Sequence, residues 1–483
     1  MSRARITRIL MMLFAIMLTT VLAGAGQKKN NNPPPPPKQA PAAKPAPAPR
    51  QVQPAATQRP TNIQRPQPPK SPSGLQPKSP GGLQPKGPTG GNFSTPKRQP
   101  TQNVQLRGGG NAQVSRRADH MVADIHTTGP NAMAIHRDTH GGRTIVAERN
   151  GHTIVSTGHG GYVQSTYLNR NGRTYYQRTY VVGGRTYVNV YHGYYYHGAR
   201  FYGYVPRYYY HPGFYGWAYN PWHPFYYGPA AWGWAGTPWF GFYGGFFTPY
   251  PVYTSASLWL ADYLIAANLQ AAYQAQAEAN AQNPPPPDYS GASSAAPTQT
   301  PLSPEVKQAI ADEVQRQLAA DKDAAANPQA PSPAPTGGEV PDALNPAERV
   351  FVVASNLDVT MAADGQECTL TAGDVVMRLT DSPDANQNVN ASIQSSKKGD
   401  CATGQTVAVG VQDLQEMHNQ FRAQLDSGLQ QLAANSGKGG LPTAPDTATT
   451  AGEVPPPAPD SGAPAQVTAQ QRQADQTEAQ LVN

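Results

Sequence analysis

The sequence predicts a mostly disordered chain carrying two small folded units: a β-meander with an aromatic layer and a helix, then a small β-barrel flanked by helices. Three observations carry this expectation. Among 483 residues, 51 are Pro and 46 are Gly, and only 14% are charged, so long stretches lack the apolar side chains that offset the entropy of ordering a chain. A Gly-x-Thr strand motif recurs between residues 142 and 188. From residue 349 to 411, short β-branched runs alternate with Gly, Asp, Asn and Ser, and both cysteines of the chain lie among them. A single compact enzyme spanning all the residues is excluded by this composition.

Arg3, Arg5 and Arg8 precede an apolar run from Ile9 to Leu18, and Ala23-Gly24-Ala25 supplies an A-x-A cleavage site. Residues 1–25 therefore read as a signal peptide, and the protein is expected to be exported: periplasmic, outer-membrane-associated or extracellular. Residues 26–118 form a basic arm. No Asp or Glu occurs before Asp119, while 18 Lys and Arg do. Pro33 to Pro37 and the tandem copies beginning at Lys70 and Lys78 favour extended polyproline II, the conformation of a spacer. In composition this arm resembles the Pro/Lys linkers of Gram-negative envelope proteins. Its charge suits a solvated tether, or a ligand for an anionic surface.

Residues 119–283 hold the strand-turn repeat. Gly142-Arg143-Thr144, Gly151-His152-Thr153, Gly172-Arg173-Thr174 and Gly184-Arg185-Thr186 each open a β-branched or aromatic run. Asn150-Gly151, Asn171-Gly172 and Gly183-Gly184 supply the positive φ of type I′ hairpins, so a meander of about five strands is expected from Arg143 to Tyr191. All six Trp then fall between Trp217 and Trp259, and Tyr208 to Ala261 contains no charged residue. Recurrent Pro and Gly argue against a transmembrane helix here. Tyr208, Tyr209, Tyr210, Trp217, Trp222, Trp232, Trp234 and Trp239 are the candidate interaction residues. Such rings either pack on the meander, seat at a membrane interface, or stack on sugars or bases. Without cations in the segment, specific nucleic-acid binding is disfavoured. Ser255 to Gln282, free of Pro and Gly, reads as a helix covering the aromatic layer.

A linker at 284–302 leads to a helix at 303–322, opened by Ser303 as N-cap and Pro304 at the first position. A second linker, 323–345, precedes the C-terminal module at 346–434. Six strands are expected there, over Arg349–Val353, Leu357–Met361, Cys368–Leu370, Asp374–Leu379, Asn388–Ile393 and Gln405–Val409. In an exported chain Cys368 and Cys401 are expected to form a disulfide. Asp413-Leu414-Gln415-Glu416 reads as a capping-box-like start of a helix. Residues 435–483 read as a disordered tail.

The turn Leu370-Thr371-Ala372-Gly373-Asp374-Val375-Val376 resembles the Leu-x-x-Gly-Asp-hydrophobic turn of bacterial SH3-like domains, which implies a small barrel binding cell-wall peptide or another partner. Trp217-Ala218-Tyr219-Asn220-Pro221-Trp222 and Ala231-Trp232-Gly233-Trp234 resemble secreted envelope proteins of acidobacterial type. That likeness covers roughly Gly142 to Gln282 and the C-terminal module, and implies no activity.

The chemistry-bearing residues point away from catalysis. Ten of the 11 His lie between His120 and His223, and imidazole with carboxylate suits Zn or Cu, but nothing in the spacing fixes three or four converging ligands. The expected function is that of a non-catalytic envelope or surface protein. It would need no cofactor or metal, and would bind peptidoglycan, a polysaccharide or copies of itself. The alternative is an exported metal-dependent enzyme using the His120 to His223 segment.

Overall fold

The computed structural model describes residues 96–107, 110–158, 160–282, 300–328, 339–397 and 399–482. The signal peptide, the arm as far as residue 95, residues 284–299 of the first linker and residues 329–338 of the second lie outside the described residues.

A ten-stranded antiparallel sheet is built strictly in chain order. Its strands are β1 (Gln102–Gln105), β2 (Asn111–Arg116), β3 (Val122–Thr127), β4 (Met133–Arg137), β5 (Arg143–Arg149), β6 (His152–Thr157), β7 (Gly160–Arg170), β8 (Arg173–Val182), β9 (Arg185–Tyr196) and β10 (Ala199–Val205). The meander is twice the expected length, and β1 and β2 lie inside the segment whose composition predicts an arm. The turn dipeptides act as expected: φ is 51° and 78° at Asn150-Gly151 and 53° and 76° at Asn171-Gly172, the left-handed pair that matches strand twist in a two-residue hairpin.

Beyond β10, Tyr208–Tyr210 forms β11, Pro212–Tyr219 forms α1, Phe225–Tyr226 forms β12, Pro238–Tyr243 forms α2, and Val252–Tyr253, as β13, pairs with β12. Helix α3 (Ala256–Gln282) and helix α4 (Pro304–Ala324) follow. Ser303 caps α4 as expected, its hydroxyl accepting from the Val306 N–H.

The C-terminal strands are β14 (Val350–Val352), β15 (Leu357–Met361), β16 (Glu367–Leu370), β17 (Val375–Arg378), β18 (Asn388–Ser395) and β19 (Thr406–Gly410). All six expected strands form, but not a barrel. They make an open sheet in the order β14-β17-β18-β19-β15-β16. The two edges do not meet because each is already occupied. Helix α4 and helix α5 (Val411–Ala434) pack on β14. At β16 the Thr369 N–H donates to Asp400 and its hydroxyl meets Thr139 in the turn between β4 and β5. Cys368 and Cys401 are disulfide-bonded, with Cα atoms 5.3 Å apart. Helix α5 starts two residues before the expected cap, with Gly410 as its N-cap and Asp413 in its first turn.

The tail is a structural element rather than disordered chain. Thr449–Ala451, as β20, pairs antiparallel with β11, and α6 (Ala463–Val482) lies across the meander. Pleat alternation explains the fit. One face of the meander carries Ala112, Val114, Ile125, Ile135, Ile145 and Ala147, and α6 closes it with Ala474 and Leu481, while Val467 packs on Ile154 and Val163. The opposite face carries Asp124, His136, Gln164 and Arg178 and meets the six-stranded sheet and α5.

These contacts replace two separate units with shared cores. One buried cluster joins the aromatic segment, α3, α4, α5 and Val352 and Val375 of the six-stranded sheet. Another joins Tyr194 and Phe201 of the meander to Val359, Cys368 and Ile393. The physical reason is the charge-free run from Tyr208 to Ala261, which has too few polar side chains to face water and so draws covering elements from both directions. The last strand of the meander is closed by a side chain. Asn419 of α5 accepts from the Tyr204 N–H at 3.0 Å and donates to the Tyr202 carbonyl at 2.8 Å. Among the described residues no helix is long and apolar enough to cross a membrane.

Candidate functional site

The aromatic residues singled out in the sequence are brought into one mass, and it is mostly interior. Tyr210, Trp222 and Trp239 are buried, while Tyr208, Tyr209, Trp217, Trp232 and Trp234 are half-buried against them. Tyr208, Tyr209 and Tyr210 are held by the ladder to β20. Burial, with the charge of Asp321, pushes the Tyr209 phenol up to about 12. Trp222 donates its indole N–H to the Trp217 carbonyl at 3.0 Å, and the two rings lie 5.0 Å apart.

Rings reach the surface in one ordered stack. Trp234 lies on Trp232 with centroids 4.2 Å apart and planes 10° from parallel, and Trp232 lies on Trp259 at 4.3 Å. Gly233 makes this possible. Its φ of +70° lies where a side chain is strained, and the turn it permits sets successive indoles face to face. The stack is anchored from beneath. Trp232 donates to the Tyr253 hydroxyl at 3.1 Å, that hydroxyl donates to Asp262 at 2.7 Å, and Asp262 pairs with Lys307 at 2.7 Å. Burial, reinforced by the Asp262 charge, holds the Tyr253 phenol far above its ordinary value. On the β12–β13 ladder, Tyr226 is 70% exposed and faces Val252. The arrangement offers flat aromatic surface with a fixed orientation, which can stack on a sugar ring or on an aromatic partner.

A second constellation, between the two sheets, was not legible as a cluster in the sequence. His136 of β4 sits between Asp124 of β3, at 2.7 Å, and Asp358 of β15, at 3.4 Å. Arg117 pairs with Asp358 and, at 3.2 Å, with Glu367, while Arg98 pairs with Asp124 and Glu367. Burial opposes the imidazolium, but hydrogen bonds to Asp124 and Asp358 outweigh it and push His136 up to about 9. Burial likewise opposes the Asp358 carboxylate, and His136, Thr369 and Arg117 hold it below its ordinary value. Asp124, His136, Asp358 and Glu367 are polar residues on strands, whose sequence signal is period-two placement only, while Arg98 and Arg117 lie just outside β1 and β2 and face each other in an isolated bridge; the pairing across more than 200 residues has no sequence signal.

The histidines do not converge. His120 contacts Gln99, His192 pairs with Glu339, and His211 caps α1. Among the described residues no three His, Cys, Asp or Glu side chains are grouped so as to hold a metal ion. His159 lies outside the described residues. Comparison with protein families, with curated proteins and with solved structures finds no match.

Proposed function

We propose that this is a non-catalytic exported protein of the cell envelope or surface, which holds an envelope polymer, peptidoglycan or polysaccharide, or a second copy of itself. The Trp234–Trp232–Trp259 stack is the observation that carries the reading. The half-buried indoles of Trp232 and Trp234, seated in order on the buried Trp259, present aromatic contact area at little conformational cost. The basic stretch that precedes the sheet, residues 26–95, adds attraction to anionic surfaces, and the A-x-A segment at residues 23–25 supplies the route of export. The likeness to secreted envelope proteins of acidobacterial type agrees with this reading. The SH3-like likeness gives it no support, because the six-stranded sheet is open.

The test is co-sedimentation of the purified chain with peptidoglycan and with insoluble polysaccharide, and sedimentation of the protein alone, at low and high salt. The parent should bind at both salt concentrations. A Trp232→Ala/Trp234→Ala variant should lose binding at high salt and keep only a salt-sensitive residue of it at low salt, since screening weakens charge attraction and not stacking. Parent-like binding and sedimentation by a folded variant under both conditions would discard the aromatic stack as a site.

A further inference from the structure

A pocket of about 240 Å³ opens where the polar face of the six-stranded sheet meets the meander. Its floor follows from strand pairing. Ala408 lies opposite Thr360, and Gly410 opposite Asn388, so two adjacent inward positions of β19 carry a methyl group or a hydrogen where a larger side chain would fill the space. One wall is the charge network already described. There Arg98, Arg117 and His136 balance Asp124, Asp358 and Glu367, three cations against three carboxylates. The other wall is different in kind. Among the described residues, the side chains of Asn386, Asn388 and Asp413 line the pocket and make no hydrogen bond, and neither does the Thr360 hydroxyl.

The geometry points to this pocket as a binding site for a small, uncharged, polyhydroxylated molecule about the size of one sugar ring. Size sets the first limit: the volume falls just under the ~300–1,000 Å³ usual for ligand clefts. Charge sets the second. With one wall internally neutral, Asp413 is the single carboxylate left over, so an anionic ligand is repelled. A lone ammonium would satisfy Asp413 and leave two carboxamides and a hydroxyl unanswered. Hydrogen-bonding capacity decides among neutral molecules. The free wall mixes acceptors with donors, the carboxylate and amide oxygens with amide N–H and hydroxyl groups, and a sugar hydroxyl is both donor and acceptor at once. The inference goes beyond the aromatic reading, shares no residue with it and can hold without it.

The test uses the full chain, with glucose and N-acetylglucosamine as neutral probes, methylammonium as the lone cation and glucuronate as the anion, followed by saturation-transfer NMR and calorimetry. Saturable binding of a neutral probe, tighter than either charged one, is the expected result. Ala408→Leu should fill the pocket and weaken that binding at least about tenfold, and Asp413→Asn should weaken it about three- to tenfold. Asn386→Ala, on an exposed loop, keeps the test decisive if Ala408→Leu fails to fold, and should weaken binding severalfold. Trp232→Ala/Trp234→Ala should leave it unchanged, which separates this pocket from the aromatic stack. No saturable binding by the parent, preference for a charged probe, or parent-like affinity in folded Ala408→Leu or Asn386→Ala overturns the proposal.

Discussion

In the ten-stranded sheet each strand pairs with the one that follows it, whereas in the six-stranded sheet β14 pairs with β17 and β19 returns to β15. The first arrangement draws its register from local turns such as Asn150-Gly151 and Asn171-Gly172. The second must bring distant segments together and meets the loop-closure cost before contacts offset it. The difference shows in how each is secured. The six-stranded sheet carries the Cys368–Cys401 bond and a core from which residues such as Val376, Ile393 and Val407 are fully excluded from water. The meander's apolar face is thin, with about two apolar positions per strand in β2 to β5, and depends on the tail helix α6 for its cover.

That contrast yields predictions that separate the two sheets. Truncation after residue 462, which removes α6, should have the largest effect. Uncovering Ile154, Val163 and the Ile135–Ile145 layer costs on the order of 5 kcal/mol by side-chain transfer. Amide exchange should accelerate in β2 to β8 while the six-stranded sheet keeps its protection; uniform loss in both would show that the sheets do not differ in this way. Cys401→Ala should give the converse pattern, with a loss of about 2 to 5 kcal/mol in denaturant unfolding and exchange rising first in β15 and β16.

Arg178→Ala should cost about 2 to 4 kcal/mol, read by thermal and denaturant unfolding. The guanidinium of Arg178 is fully buried on the meander, 4.2 to 5.1 Å from the ring centroids of Tyr162, Tyr191 and Tyr202, and bonded to Gln164 and Glu416. An unchanged midpoint would mean that α5 can settle onto the meander without that cation.

The smallest effect is the pH dependence of the junction between the sheets. His136 is raised to about 9 in the fold, so its contribution is complete below its ordinary value near ~6.5 and is lost as pH rises through 9. Asp124 and Asp358 are held low, so theirs is present above the ordinary value near ~3.9 and is lost as pH falls below it. Stability should therefore be greatest between about pH 4 and 6.5. His136→Gln should flatten the alkaline limb of a melting-temperature profile most and the acid limb in part, because Asp124 and Asp358 lose the imidazolium that helps hold them low while Arg98 and Arg117 remain. An alkaline limb unchanged in that variant would assign it to another group.

Legibility followed the range of the interactions. The later hairpins announce themselves through Asn-Gly and Gly-Gly dipeptides with β-branched flanks, and all six C-terminal strands are visible as short runs. Strands β2 to β4 hide because Ala112 and Val114, Ala123 and Ile125, and Met133 and Ile135 are their main apolar positions. Helix α6 hides for a related reason. Its buried positions Ala463, Val467, Gln470, Ala474 and Thr477 keep helical spacing, but the stripe is built from small and polar side chains that composition reads as solvated. The eight aromatic residues were visible as a class, but burial of Tyr210, Trp222 and Trp239 depends on α3, α4 and α5, which nothing within the aromatic run specifies. The order of the six-stranded sheet and the meeting of His136 with Asp358 are likewise products of tertiary packing.

The carboxamide of Asn419 stands in for an eleventh strand, offering one acceptor and one donor to Tyr204 and Tyr202 as a neighbouring backbone would. This gives the meander a direction of growth. A duplicated hairpin inserted after β10 would have to displace α5 and its buried contacts before it could find a ladder, so lengthening there is opposed by the whole C-terminal half. At β1, no described strand pairs beyond β2, and a further Gly-x-Thr unit could be appended with only its own turn to supply. Length variation among descendants of such a repeat should accumulate at the amino-terminal end of the sheet, leaving the Asn419 end as the fixed origin from which strands are counted.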